Sequence, residues 1–257
     1  MTRPFRSRAL AAIAGLAALA ALSSCAGEPA GPPEGFVRLG DVAPDIVQEI
    51  RYAGPHNFMG RQVTGYDKGE CWVTRPTAEA LARVQTRVTA QGYSLKVYDC
   101  YRPQRAVADF VAWSKDPQDD ATRGEFYPRL EKSQLFPMGL IAEKSGHSRG
   151  STVDVTLVPL GAGTSPSWVP GDPIRDCAAP LPERFADTSI DMGTGFDCFD
   201  PVAATDDTSV TPEQRANRLL LVQAMEAAGF VNLPEEWWHY TLENEPFPDT
   251  FFDVPIS

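Results

Sequence analysis

The sequence predicts an α+β domain, a small, mostly antiparallel sheet packed with helices. Three observations carry that expectation. Segments with helix start and stop signals are spread along the chain. Alternating, β-branched segments lie between them. The two kinds do not follow the regular strand–helix–strand rhythm of a parallel α/β fold. At 257 residues, the chain suits one large domain, or one domain with long insertions, behind a leader.

Taken in order, residues 1–24 read as a signal peptide. Arg3, Arg6 and Arg8 form a positive start, and residues 9–22 form an apolar run of 14, short for a bilayer span. Leu22-Ser23-Ser24-Cys25 matches the bacterial lipobox, so Cys25 is expected to become the lipidated first residue. Residues 25–35 form a Pro/Gly-rich tether and residues 36–257 the folded domain. Residues 46–52 read as a strand, and 53–66 as a loop carrying His56, Asn57 and Phe58. Residues 77–91 read as a helix with Thr77 as N-cap and Gly92 as stop. A strand at 94–98 turns through Asp99-Cys100-Tyr101-Arg102 into a helix that Pro103 can start, running to about Ser114. A short helix is expected around 123–132. A strand at 152–158 stops at Pro159, and a Pro-, Gly- and Asp-rich loop fills 160–200. Thr211-Pro212-Glu213-Gln214 is a capping box that opens a helix to about Ala228, with Leu219, Val222 and Met225 as its buried stripe. A tight turn at 234–238 then leads into a last strand.

Composition excludes some partners. The formal charge is −11, and without the three leader arginines it is −14. Such a chain is a poor match for nucleic acid or an anionic bilayer surface. Membrane contact is therefore expected through the N-terminal lipid alone, with the protein exported to the periplasm or cell surface. Four cysteines follow the lipobox: Cys71, Cys100, Cys177 and Cys198. An even number in an exported chain points to disulfides, and no C-x-x-C suggests a zinc ribbon. Of three possible pairings, nearest neighbours are preferred: Cys71–Cys100 and Cys177–Cys198. Each closes a loop worth about 3–4 kcal/mol on the chain-entropy view.

Chemistry concentrates in two stretches. In 145–158, Val153, Val155 and Leu157 alternate with Thr152, Asp154 and Thr156. An ionised Asp in such a strand is costly unless something positive meets it. His147 stands seven positions earlier in a Gly-bracketed turn that can fold it onto the Asp-bearing face. The second stretch is Glu236-Trp237-Trp238-His239. His147, Asp154 and His239 would make a three-ligand N/O set with one zinc position left open to water. Glu236 would stand beside it as base. Either histidine alone reads better as a structural one, and Trp237 and Trp238 as packing. A competing signal is Gly146-His147-Ser148-Arg149-Gly150, which fits the G-x-S-x-G nucleophile elbow, with Asp191 and His239 following in triad order. That elbow needs a strand before it and a helix after it. Here the segment after it reads as strand.

These residues resemble a known family. Ser145-x-His147-x-x-Gly150-x-x-x-Asp154 with Glu236-x-x-His239 is similar to the zinc D-alanyl-D-alanine dipeptidases of the VanX type. These are related to zinc D-Ala-D-Ala carboxypeptidases and the hedgehog domain. Tyr52-Ala53 with Asn57-Phe58, Tyr101-Arg102-Pro103-Gln104-Arg105-Ala106-Val107 and Asp191-Met192-Gly193-Thr194 extend the likeness from about residue 36 to the end. The resemblance implies one Zn²⁺ per chain on His147, Asp154 and His239, with Glu236 as base and Arg102 as stabiliser of the oxyanion. It implies a D,D-dipeptide substrate whose ammonium meets Asp191, with Tyr52 and Ser145 as neighbours. His56 has no expected catalytic part. The alternatives are a zinc carboxypeptidase or amidase acting on peptidoglycan stem peptides, a non-catalytic wall-binding lipoprotein, and a serine esterase using Ser148.

Overall fold

A computed structural model describes residues 1, 2 and 31–257, so the expected lipobox and most of the leader and tether lie outside the described residues. Strand β1 (Phe36–Arg38) leads into a one-turn helix α1 (Leu39–Val42) and the short strand β2 (Val47–Gln48). Strand β3 (Trp72–Thr74) pairs antiparallel with β1 and runs directly into α2 (Arg75–Thr89). Strand β4 (Tyr93–Asp99) and α3 (Gln104–Ser114) follow, then two single turns, α4 (Arg123–Phe126) and α5 (Lys132–Leu135). Strand β5 (Thr152–Pro159), helix α6 (Pro212–Glu226), β6 (Phe230–Asn232) and β7 (His239–Leu242) complete the order. The main sheet runs β2-β4-β5-β7-β6, antiparallel throughout except between β2 and β4. The α+β expectation is met. No helix among the described residues is long and apolar enough to cross a membrane.

Several boundaries differ from the expectation. The strand expected at 46–52 keeps only Val47–Gln48, because the chain tightens into a 3₁₀ turn at Arg51–Ala53 that buries Tyr52. Helix α2 starts two residues before Thr77. Thr74 is its N-cap and Pro76 lies in its first turn, where a missing N–H is no loss. The Thr77 hydroxyl instead meets that of Thr74 at 2.8 Å. The capping box of α6 forms as read, with the Gln214 N–H donating to Thr211 Oγ1 at 3.2 Å. Its buried face is Arg218, Leu221 and Met225, one step around from the expected stripe, and Leu219 is exposed. The helix expected near 123–132 splits into α4 and α5.

Sheet register decides what each face carries. Leu95 pairs with Leu157 and Val97 with Val155, and these apolar residues join the core with Leu81, Val84 and Val88 of α2 and Leu221 and Met225 of α6. The opposite face carries Lys96, Tyr98 and Thr156. The far end of the long 160–200 segment covers part of it: Tyr98 Oη donates to Asp187, Lys96 Nζ to the Asp187 carbonyl, and Thr156 meets Ser189 at 2.6 Å. Two disulfides form in the expected pairing, Cys71–Cys100 and Cys177–Cys198.

Candidate metal centre and substrate cavity

A register shift between Val97 and Asp99 is the local device that builds the site. Without it, Asp99 would share the core face with Val97. The bulge turns it onto the other face, opposite Asp154. Asp154 in turn pairs with His239 on β7. Asp99, Asp154 and His239 therefore form a row across three strands. His147 approaches from the 3₁₀ turn Gly146–Arg149, which Ser145 caps by accepting the His147 N–H at 3.3 Å. Gly150 ends this turn at φ 79°, and a Cβ there would collide with the Phe36 ring.

The donor atoms converge. His147 Nε2 lies 3.4 Å from Asp154 Oδ1 and 3.4 Å from His239 Nδ1, and His239 Nδ1 lies 3.2 Å from Asp154 Oδ1. Ligands about 2.0–2.1 Å from a tetrahedral zinc stand about 3.3 Å apart, so this spacing fits such an ion. Asp154 Oδ1 is buried and has no hydrogen-bond partner, an orphan acceptor that a cation would satisfy. His147 Nδ1 lies 2.7 Å from the Cys100 carbonyl, which can only accept, so its proton sits there and Nε2 keeps a lone pair for the ion. Burial disfavours the Asp154 charge, but His147 and then His239 outweigh it and hold the carboxyl well below its ordinary range.

Around this centre lies a cavity of about 180 Å³ lined by Tyr52, Arg102, Lys144, Asp197, Glu236 and their neighbours. Glu236 Oε2 stands 3.4 Å from His239 Nδ1, and burial pushes its carboxyl up to about 7. Arg102 places Nε and Nη2 on Asp99 Oδ2 at 2.9 and 2.8 Å, with Nη2 3.7 Å from Asp154 Oδ2. Its guanidinium lies over Tyr52 and Phe110. Burial works against its charge, yet Asp99 holds the group well above its usual pKa. The poor electrostatic position near the start of α3 is thus compensated by a buried carboxylate.

One sequence expectation needs correction. Asp191 does not line the cavity. Its Oδ1 pairs with Arg184 and caps the Gly193 N–H at 2.9 Å, and its Oδ2 takes Gln214 Nε2 at 2.9 Å. Asp197, six positions on, faces the cavity instead, and Tyr52 Oη donates to its Oδ2 at 2.8 Å. Asp197 has no ion-pair partner among the described residues, and burial, then Asp154, raise its carboxyl well above its usual pKa. The structure agrees with the rejection of the competing elbow reading of Ser148. Ser148 is fully buried, lines no part of the cavity, and is followed by strand β5 rather than a helix. Tyr52 and Ser145 do line the cavity. Trp237 and Trp238 are buried, with Trp237 Nε1 donating to Thr194 at 2.7 Å. His56 is spent on Arg51 and Glu125, at 2.9 and 2.8 Å.

Sequence reasoning missed Asp99, Asp197 and Lys144. Asp99 stood in plain view three positions before Arg102. The Asp191-x-Gly193 spacing is itself an Asx-turn signature, which argued for a capping role there.

Comparison with known proteins identifies the family. The family model described as D-ala-D-ala dipeptidase, Peptidase_M15, matches residues 33–166 and 186–257. A D-alanyl-D-alanine dipeptidase of Streptomyces coelicolor is 38% identical over 222 residues, covering 86% of this chain and 98% of the relative. The enzyme of that name from Enterococcus faecalis is 33% identical over 87% of this chain and 98% of its own length. That from Escherichia coli is 30% identical over 80% and 84%. The α+β architecture fits the hedgehog-like peptidase fold of the family. The chain belongs to the D-ala-D-ala dipeptidase family, Peptidase_M15, and is a metallopeptidase.

Proposed function

We propose that this chain hydrolyses the D-Ala-D-Ala dipeptide with one zinc ion on His147, Asp154 and His239. The observation that carries the reading is the approach of their three donor atoms to within 3.4 Å of one another beside Glu236. Zinc in that set would supply Lewis acidity, activating water near neutral pH and polarising the scissile carbonyl. Glu236, with a pKa near neutrality, takes a proton from the attacking water and returns it to the leaving amine. Arg102 presents its fixed positive charge where the oxyanion develops. Asp99 holds Arg102 in place.

The cavity favours a small zwitterion. Its volume of about 180 Å³ is below the roughly 300–1,000 Å³ of drug-sized pockets. Asp197 is a buried carboxyl without a cation among the described residues and suits a free ammonium. Lys144 lines the same cavity, and its ammonium group lies 5.0 Å from the centre of the Phe251 ring. It suits the terminal carboxylate. A free dipeptide uses both, whereas a longer stem peptide lacks the ammonium at that point, so the carboxypeptidase reading is second. Export and a lipid on Cys25 belong to the same proposal. Two disulfides in a chain of this size fit an oxidising compartment.

Turnover of D-Ala-D-Ala against L-Ala-L-Ala and a D-Ala-D-Ala-ending pentapeptide tests the reading. The expected result is D-specific release of D-alanine from the dipeptide, lost with chelator and restored by zinc. Chelator-resistant hydrolysis, or faster cleavage of the pentapeptide, would overturn it.

A further inference from the structure

The family match stops at residue 166 and resumes at 186. Cys177 lies in the unmatched stretch, yet it is bonded to Cys198, the residue between Asp197 and Phe199, both of which line the cavity. Asp197 adopts φ 56°, a left-handed conformation that non-glycine residues hold only when their surroundings impose it. Cys177 supplies much of that imposition. Its carbonyl accepts the Gly195 N–H at 2.8 Å and its sulfur holds Cys198, so it grips the backbone on both sides of Asp197. Its own N–H donates to the Glu125 carbonyl in α4 at 3.1 Å, and Phe199 N–H donates to the Phe126 carbonyl at 2.8 Å. Both cysteines are buried. The clamp is therefore anchored in the core.

We propose that Cys177, through its bond to Cys198, is a positioning residue for Asp197, and that the 167–185 stretch is a brace for recognition of the substrate's ammonium group. The proposal rests on the reading of Asp197 given above. Small displacements of a binding group can cost up to about a hundredfold. Opening the bond should let Asp197 relax away from its imposed backbone conformation while leaving the metal donors, which stand on β5, β7 and the Gly146–Arg149 turn, in place.

The test uses the full zinc-loaded chain with Cys177→Ser/Cys198→Ser, alone and combined with Asp197→Asn. In the disulfide-free variant, KM for D-Ala-D-Ala should rise about tenfold or more, with kcat within about threefold and zinc content unchanged. In the Asp197→Asn background the same change should add little, since coupled sites are non-additive. Amide exchange at Gly195 and Phe199 should quicken at least tenfold, a reading that needs no turnover. Should the serine variant not fold, native protein with Cys177–Cys198 reduced after folding, its thiols mapped, gives the same readings. Unchanged exchange, or a KM effect that persists in full beside Asp197→Asn, would overturn the brace. An inactive parent protein whose variant shows quickened exchange would instead sink the substrate reading and leave the brace standing.

Discussion

His147 and His239 face the centre through different ring nitrogens, Nε2 and Nδ1, because each is fixed by a different neighbour. His147 is held by the Cys100 carbonyl, and His239 by its place at the start of β7 directly beside Asp154. This explains why the ligand set could be read from sequence. The spacing from His147 to Asp154 spans one turn and the first residues of a strand, so both signals are local. Glu236 followed from its offset to His239. Asp197 did not, because two aspartates stand six positions apart in one loop and only tertiary contacts separate them. The distinction is testable. Asp197→Asn should raise KM for D-Ala-D-Ala by tenfold or more, whereas Asp191→Asn should leave KM unchanged and lower Tm through loss of its Arg184 and Gln214 contacts; the reverse pattern would restore Asp191 to the site. Arg102→Ala should cut kcat by about 10²–10³ with zinc content intact. Metal analysis beside steady-state kinetics decides that, and unaltered kcat would leave Arg102 as packing over Tyr52 and Phe110.

Among the elements, the long β5 and the capped α6 were legible because alternation and a capping box are local signals. Strands β1, β3 and β6 have three residues each, too few for any period to show. The bulge at the end of β4 was also invisible, although it turns Asp99 toward Arg102. The turn that presents His147 depends on Gly150. Gly150→Ala should cost at least about 1–2 kcal/mol from its left-handed backbone alone, with zinc affinity falling as the Phe36 collision shifts His147; chemical denaturation and zinc titration measure the two effects. Helix α3 offers a pH test. Asp109 accepts from Arg61 at 2.8 Å and from Thr64 N–H at 3.0 Å. Burial opposes its charge, but Arg61 and Thr64 hold its carboxyl down at about 2. A depressed folded pKa gives stability that is present above the ordinary carboxylate range and lost as pH falls toward about 2. The penalty of Asp109→Asn should therefore be full at pH 7 and shrink between about pH 4 and pH 2. A penalty independent of pH would show that the ion pair contributes nothing.

For the whole molecule, the sheet and its helices form the frame, and the site is assembled from Asp99, Asp154 and His239 on three neighbouring strands together with the loops that carry His147 and Asp197. The two disulfides stand immediately behind those loops, one beside the carbonyl that orients His147 and one beside Asp197. That placement is in keeping with the proposed export to an oxidising compartment. Cys25→Ala should release the protein from the membrane fraction, and a variant that stays there would refute the lipid anchor. The account depends above all on one ion at one place. Anomalous diffraction at the zinc edge, on crystals grown with equimolar zinc, tests this most directly. The account predicts a single strong peak about 2.0–2.1 Å from His147 Nε2, His239 Nδ1 and Asp154 Oδ1. No peak there, or a peak on other residues with these three left unligated, would contradict it.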